Sequence, residues 1–431
     1  MNKTVALYTL GCRVNQYETA AMEALFGKEG FRIVPFDNCA DIYVINTCAV
    51  TAESERKCRQ IIRRAKTKNP DALIVAVGCM AQSSTSNLLE MPEVDLVLGV
   101  TRKNEIVDAI KNAVHAPVII DDLSKITEYQ EMKVSDFEDR DRAFVKIQDG
   151  CDRFCSYCII PYVRGKVRSR APEDILSEIS LLADKGFKEV VLTGIHVASY
   201  GRGTDTNLSK IIRLVASVDG IERIRLSSID PTAFTDELLE TYREIEALCP
   251  HFHISLQSGS TTVLKRMNRR YTAEEYLSVT NALRSIRPDT CITTDVITGF
   301  PGETDIEHLE TEAFVEKAKL CGIHVFPYSI RKGTAAEKMD GHLPRAIREE
   351  RAKKLIDKAS ILRHSYATKF IGSVQPVLFE HKERAPSGFT PHFLRVEIPE
   401  IADNIAGMIL PVIIKECKGE ILYGELFQGH S

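Results

Sequence analysis

Several things are missing from these 431 residues. No run of about 18 apolar residues occurs, so no segment has the length of a membrane-spanning helix. No secretory leader pattern is present either. MNKTVALYTLGC runs straight into a strand-like stretch, and the expectation is a cytoplasmic protein with no membrane partner. Nor is there the excess of Lys and Arg that marks a dedicated nucleic-acid binder. The formal net charge is -4, so any RNA contact has to come from local patches. Cysteine is the exception: 12 of them, in a chain without extracellular marks, point to metal or redox chemistry and not to disulfides. The length suits two or three domains.

Three cysteines sit together in GCDRFCSYCIIP (150–161), which spaces Cys151, Cys155 and Cys158 as CxxxCxxC. The preceding AFVKIQD reads as a strand, which places the thiols in a loop at its C-terminal end. Three thiolates on one loop can hold three irons of a [4Fe-4S] cube and leave the fourth iron without a protein ligand. A structural zinc knuckle wants four ligands, and no further Cys or His lies between Arg153 and Val167. The triplet resembles the signature loop of the radical-SAM superfamily. That resemblance implies S-adenosylmethionine chelated at the open iron and cleaved to a 5′-deoxyadenosyl radical. Tyr157 matches the aromatic position that packs near the adenine there.

Residues 1–120 alternate strand and helix. Strands are expected at 5–9, 31–35, 42–46, 73–77, 96–98 and 118–120, with helices at 17–29, 52–68, 84–91 and 103–114. This reads as an open, mostly parallel α/β sheet, in which ligands bind at the strands' C-terminal edge. Cys12, Cys48 and Cys79 each follow a strand there and could converge on a second cluster; buried core thiols are the alternative from the residues alone. Cys58 shares the apolar helix face of Ile61, Ile62 and Ala65, and it is assigned to the core with Cys39, Cys249, Cys291, Cys321 and Cys417. TLGCRVNQYET, INTCAV and VGCMAQ are similar to the signature segments of the methylthiotransferases, radical-SAM enzymes with an auxiliary [4Fe-4S] cluster in an N-terminal domain. The likeness implies that Cys12, Cys48 and Cys79 hold that cluster. A basic run from Arg56 to Lys68, including Arg63 and Arg64, is either a solvated helix face or a phosphate-contacting surface.

Residues 121–142 are polar and acid-leaning, a linker. From 143 to 370, strands are expected at 144–148, 189–193, 223–227, 252–256, 291–297 and 323–326, a six-stranded (β/α) partial TIM barrel. Residues at the strand C-termini should line the site. Those expected to bind S-adenosylmethionine are Thr193, Gly194 and His196 after strand two, Ser228 after strand three, and Gln257 and Ser258 after strand four. Asp295 on strand five and Arg331 after strand six complete the set. The alternation of Arg164, Lys166, Arg168 and Arg170 could put four cations on one side of an extended strand, to dock an anionic substrate at the cluster mouth. The basic helix at 344–370 has a packed face and reads as structural.

Residues 371–431 hold short β runs split by Gly, Pro and charge, a small OB-like antiparallel β-barrel. In position and pattern it resembles the TRAM domain that ends the methylthiotransferases. Its five Lys/Arg against eight Asp/Glu count against simple phosphate binding, unless Lys382, Arg384 and Arg395 form a local patch.

The resemblance implies an enzyme acting on tRNA. One S-adenosylmethionine methylates sulfur held at the Cys12/Cys48/Cys79 cluster. A second yields the radical that takes hydrogen from carbon 2 of an adenine, and the methylated sulfur closes the bond. TLGCRVNQYE and RAFVKIQDGC are most similar to the branch acting on N6-threonylcarbamoyladenosine next to the anticodon. The branches acting on isopentenyladenosine in tRNA and on a ribosomal-protein aspartate are alternatives. A reducing partner such as flavodoxin or ferredoxin and a sulfur source are implied. From a different class, a two-cluster electron carrier with an RNA-binding tail would need no open iron.

Overall fold

The computed structural model describes residues 3–112, 118–134, 141–381, 386–399 and 404–428. The N-terminal part runs β1 (Thr4–Thr9), α1 (Arg13–Lys28), β2 (Arg32–Ile33), β3 (Ile42–Thr47), α2 (Ala52–Lys68), β4 (Leu73–Gly78), α3 (Cys79–Ser83), α4 (Thr85–Leu89), β5 (Leu96–Leu98), α5 (Ile106–Lys111) and β6 (Val118–Ile119). Its six strands form one sheet in the order β2-β1-β3-β4-β5-β6, parallel throughout. All six residues of β3 are buried, as expected where helices cover both faces of a parallel sheet. The chain leaves β3 past Cys48 into α2, whose first turn Thr51 caps by accepting the Ser54 N–H at 3.0 Å.

The central part follows as β7 (Arg142–Asp149), α6 (Ile160–Arg164), β8 (Arg168–Ser169), α7 (Pro172–Asp184), β9 (Glu189–Gly194), α8 (Leu208–Ala216), β10 (Arg223–Leu226), α9 (Asp236–Glu244), β11 (His251–His253), α10 (Thr261–Arg266), α11 (Ala273–Ile286), β12 (Cys291–Thr298), α12 (Asp305–Lys317) and β13 (Gly322–Pro327). Two parallel groups, β10-β9-β7 and β11-β12-β13, are joined by bridges at Ile224–Leu248 and Ile229–Ile254. This is the six-stranded partial barrel, with β8 added antiparallel to β7. The stretch expected to extend from Arg164 to Arg170 is a short helix, a bend and a two-residue strand. Residues 121–134 pack closely: the Tyr129 hydroxyl donates to the Lys146 carbonyl at 3.0 Å and Glu131 pairs with Arg170.

After α13 (Arg345–Ala367) the chain closes a small barrel from β14 (Val374–Glu380), β15 (Ser387–Phe389), β16 (Arg395–Glu397), β17 (Ile409–Lys418) and β18 (Ile421–Leu426). It is antiparallel except for one pair, since β16 runs parallel to β18. This barrel seals the N-terminal ends of the central strands. Arg223 donates to the carbonyls of Phe389 (3.1 Å) and Pro376 (2.7 Å), and Arg225 to that of Pro391 (3.0 Å). Phe393 stacks on His251, with the guanidinium groups of Arg142 and Arg225 over its ring. Within the small barrel Arg395 pairs with Glu397, Lys415 with Glu425 and Lys418 with Glu416. Lys382 and Arg384 lie outside the described residues.

Cys58, Cys249, Cys291 and Cys321 are buried, as core thiols should be. Cys39 is exposed, which corrects its core assignment, and Cys417 is half-exposed, packed against the core of the small barrel.

Candidate active site

The CxxxCxxC loop leaves β7 through Gly150, whose φ of +76° suits glycine. A Cβ there would also meet the Lys166 carbonyl oxygen at 1.8 Å. The loop is pinned by three hydrogen bonds. Cys151 N–H donates to Gly165 O (3.0 Å), Ser156 N–H to Met267 O (3.0 Å) and Ser156 Oγ to Arg266 O (2.8 Å). Burial pushes the Cys158 thiol up to about 12, and neighbouring Cys155 and Cys151 add to the push. Arg269 Nη1 donates to Cys155 Sγ at 3.2 Å while Nη2 holds Asp230 at 2.9 Å. Burial would raise the Asp230 carboxyl, but His196, Arg269 and Thr232 together hold it well below the usual carboxylate range.

The strand-end cysteines also converge. A Cβ on Gly11 would touch Cβ and Sγ of Cys48, both at 2.9 Å, so the turn carrying Cys12 lies against Cys48. Burial pushes the Cys48 thiol up and the nearby Cys79 and Cys12 push it further. Cys58 stands behind, with the Cys48 N–H pointing at its sulfur (3.4 Å). Asn15, in the first turn of α1, donates to Leu10 O (2.7 Å) and Thr47 O (3.0 Å), tying the Cys12 turn to the end of β3.

A cavity of about 290 Å³ lies between the cysteine loop and the segment just past Cys48. Cys158 and Tyr157 line one side of it; Val50 and Thr51, just past Cys48, line another; Gln257, Asp295 and Phe326 bring in the barrel strands. Tyr157 packs edge-on to Phe300, 6.5 Å between centroids. Gln257 holds a left-handed φ of +69°, strain of the kind kept at working sites. The remaining expected residues divide. His196 lies in the Arg269–Asp230 network, its Nε2 3.4 Å from Arg153 Nε and its Nδ1 2.7 Å from Ser199 Oγ. Gly194 closes on Gln148, which a Cβ would meet at 3.0 Å, and Thr193 is buried beside it. Ser228 bonds Ser255 (3.0 Å), whereas Ser258 is fully buried and turned to Thr311 of α12 (3.2 Å), away from the cavity. Arg331 crosses to Glu55 of α2 at 2.5 Å and so clamps the two parts of the chain together.

The expectation of an exposed arginine stripe is corrected. Arg164, Arg168 and Arg170 are buried, each paired with acids of neighbouring elements. Arg164 and Arg168 pair with Asp149, Arg164 also with Glu18, and Arg170 with Glu131 and Glu178. Lys166 alone of the four is exposed. Arg63 and Arg64 are exposed on α2, facing acids of neighbouring segments: Glu93 at 3.6 Å for Arg63, and Asp37 for Arg64. Sequence reasoning missed Arg269, which carries no local motif, and Asn15 and Glu18, which lie inside TLGCRVNQYET but have no role legible from it.

Does either set suit a metal group? Neither gathers its sulfurs within 4.8 Å of one another, as the ligands of a single zinc ion would be. Three thiols that interact across a wider gap fit the corners of an iron–sulfur cube. A partial barrel with such a loop at its C-terminal mouth defines a radical SAM enzyme. Residues 145–315 match the Radical SAM superfamily profile and residues 4–99 match Uncharacterized protein family UPF0004. Among curated proteins, the threonylcarbamoyladenosine tRNA methylthiotransferase of Bacillus subtilis (strain 168) is 40% identical over 423 residues, 96% of this chain and 94% of the relative. That of Thermotoga maritima is 39% identical, covering 97% and 96%. The tRNA-2-methylthio-N(6)-dimethylallyladenosine synthase of Thermodesulfovibrio yellowstonii is 35% identical, covering 98% and 99%. The chain belongs to the radical SAM methylthiotransferase family. The solved radical S-adenosylmethionine methyltransferase TsrM of Kitasatospora setae shares the fold, with a TM-score of 0.55 at 13% identity over 75% of this chain and 73% of that one.

Proposed function

We propose that this chain is a tRNA methylthiotransferase that converts N6-threonylcarbamoyladenosine, next to the anticodon, to its 2-methylthio derivative. The observation that carries the reading is the single cavity bordered by Cys158 and by the residues just past Cys48. A base placed there could meet both reaction centres without leaving its seat. The choice of branch is supported by relatives named for threonylcarbamoyladenosine, which are 36–42% identical, against 33–35% for those named for dimethylallyladenosine.

When bound, a [4Fe-4S] cube on Cys151, Cys155 and Cys158 would pass an electron to S-adenosylmethionine, and a second on Cys12, Cys48 and Cys79 would hold the sulfur to be transferred. The chain's own part is to position and shield. Tyr157 offers an aromatic edge to the adenine, Gln257 and Asp295 offer polar atoms inside the cavity, and Ile159, Ile297 and Phe326 exclude water. Arg63, Arg64 and Lys166 contact tRNA phosphates. A one-electron donor such as flavodoxin or ferredoxin and a source of sulfur are the further partners, and the cytoplasm is the place of action. No helix among the described residues is long and apolar enough to cross a membrane.

The test is reconstituted enzyme given tRNA bearing threonylcarbamoyladenosine, tRNA bearing isopentenyladenosine, and a ribosomal-protein peptide, with nucleosides and peptides read by mass spectrometry. A methylthio group on the first alone is expected. A gain only on the second or third moves the chain to that branch. No product and no 5′-deoxyadenosine would make it an electron carrier.

A further inference from the structure

Behind the cavity, where the N-terminal sheet meets the barrel, lies a buried group of charges that binding of substrate does not explain. Arg164 is 0% exposed. Its Nε–H points at Cys79 Sγ (3.3 Å), Nη1 donates to Glu18 (2.6 Å) and Asp149 (3.3 Å), and Nη2 to Asn15 (2.8 Å) and Glu18 (3.0 Å). The arginine comes from α6, just past Cys158, yet Asn15 and Glu18 belong to α1 and Cys79 to α3, helices of the N-terminal part. Lys103, Lys146 and Arg168 crowd the same acids. Glu18 also takes Lys103 and Lys146 (2.8 Å), and Asp149 takes Lys146 (2.7 Å) and Arg168 (3.7 Å).

Four buried cations therefore share two carboxylates. Excess charge of one sign is expensive away from water unless an anion completes the group. The Cys12, Cys48 and Cys79 thiols sit at its edge. As thiolates around an oxidised four-iron cube they would carry one net negative charge, and two once the cube is reduced.

We propose that Arg164 is a positioning residue for the metal centre of the N-terminal sheet. It donates a hydrogen bond to the Cys79 thiolate and, with the surplus of positive charge around it, makes that centre easier to reduce. It also ties loading of the centre to docking of the barrel. The inference rests on the reading of Cys12, Cys48 and Cys79 as cluster ligands. Hydrogen bonds to the sulfurs and net charge are among the factors that set cluster potentials.

The test uses the full chain with Cys151→Ala, Cys155→Ala and Cys158→Ala, reconstituted so that only the second site is filled and grown with 15N-arginine. Electron paramagnetic resonance of the reduced protein should show hyperfine coupling to an arginine nitrogen, and Arg164→Lys should abolish it. Potentiometric titration should find Arg164→Gln at least tenfold harder to reduce, a midpoint about 59 mV lower. Arg164→Lys, which keeps the charge, should shift less and serves if the glutamine variant fails to fold. Absent coupling with unchanged midpoints overturns the inference. Iron and sulfide counts separate the two readings: no cube at this site overturns both, and a cube with neither coupling nor a shifted midpoint overturns this one alone.

Discussion

At the scale of single residues, glycine placement sets how near the sulfurs can come. Gly11 has a φ of +101° and leaves no room for a Cβ beside Cys48. Gly11→Ala should spare the fold of the barrel yet spoil the N-terminal site, so iron per chain should drop from about eight to about four on chemical assay. A different residue reports on pH. Burial would lift the Glu307 carboxyl, but hydrogen bonds from Arg266 (2.8 and 2.9 Å) and Thr262 (2.5 Å) hold it at about 2, against an ordinary 4.5. A depressed carboxyl stabilises the fold fully above its unfolded value and loses that contribution as pH falls toward the folded one. The gap in urea midpoint between wild type and Glu307→Gln should therefore be widest above pH ~5 and close between about 4.5 and 2.

At the scale of elements, the parallel strands are legible in the sequence because each is a short apolar run bounded by turns, and all six barrel strands stand where that pattern puts them. The fate of the arginines between 164 and 170 is not legible. Their spacing suits a surface strand, but Glu18 lies 146 residues from Arg164, and only the docking of α1 against the barrel brings the two together. The same limit hides Arg269, whose link to Cys155 spans 114 residues. Helix α2 behaves in the simpler way, burying Cys58, Ile62 and Ala65 and leaving Arg63 and Arg64 outside. If those two touch phosphates, Arg63→Glu with Arg64→Glu should weaken tRNA binding at low salt. It should also flatten the plot of log affinity against log salt by about one unit per lost contact. Arg170→Gln should instead lower the melting temperature, since it strands Glu178 without its buried partner.

At the scale of the whole molecule, chemistry and closure occupy opposite ends of the barrel. The cysteine loop stands at the C-terminal mouth, while the terminal β-barrel covers the floor through Phe389, Phe393 and the carbonyls that Arg223 and Arg225 reach. Phe393→Ala removes a ring that stacks on His251 and lies under two guanidinium groups and should cost about 3 kcal/mol, read as a lower urea midpoint and faster amide exchange at the start of β7 and β10. That floor is joined by hydrogen bonds and ring stacking as well as by the connecting chain. Peeling it away would wet the guanidinium groups of Arg223 and Arg225, now 5% and 1% exposed, so the terminal barrel acts as a plug for the central strands.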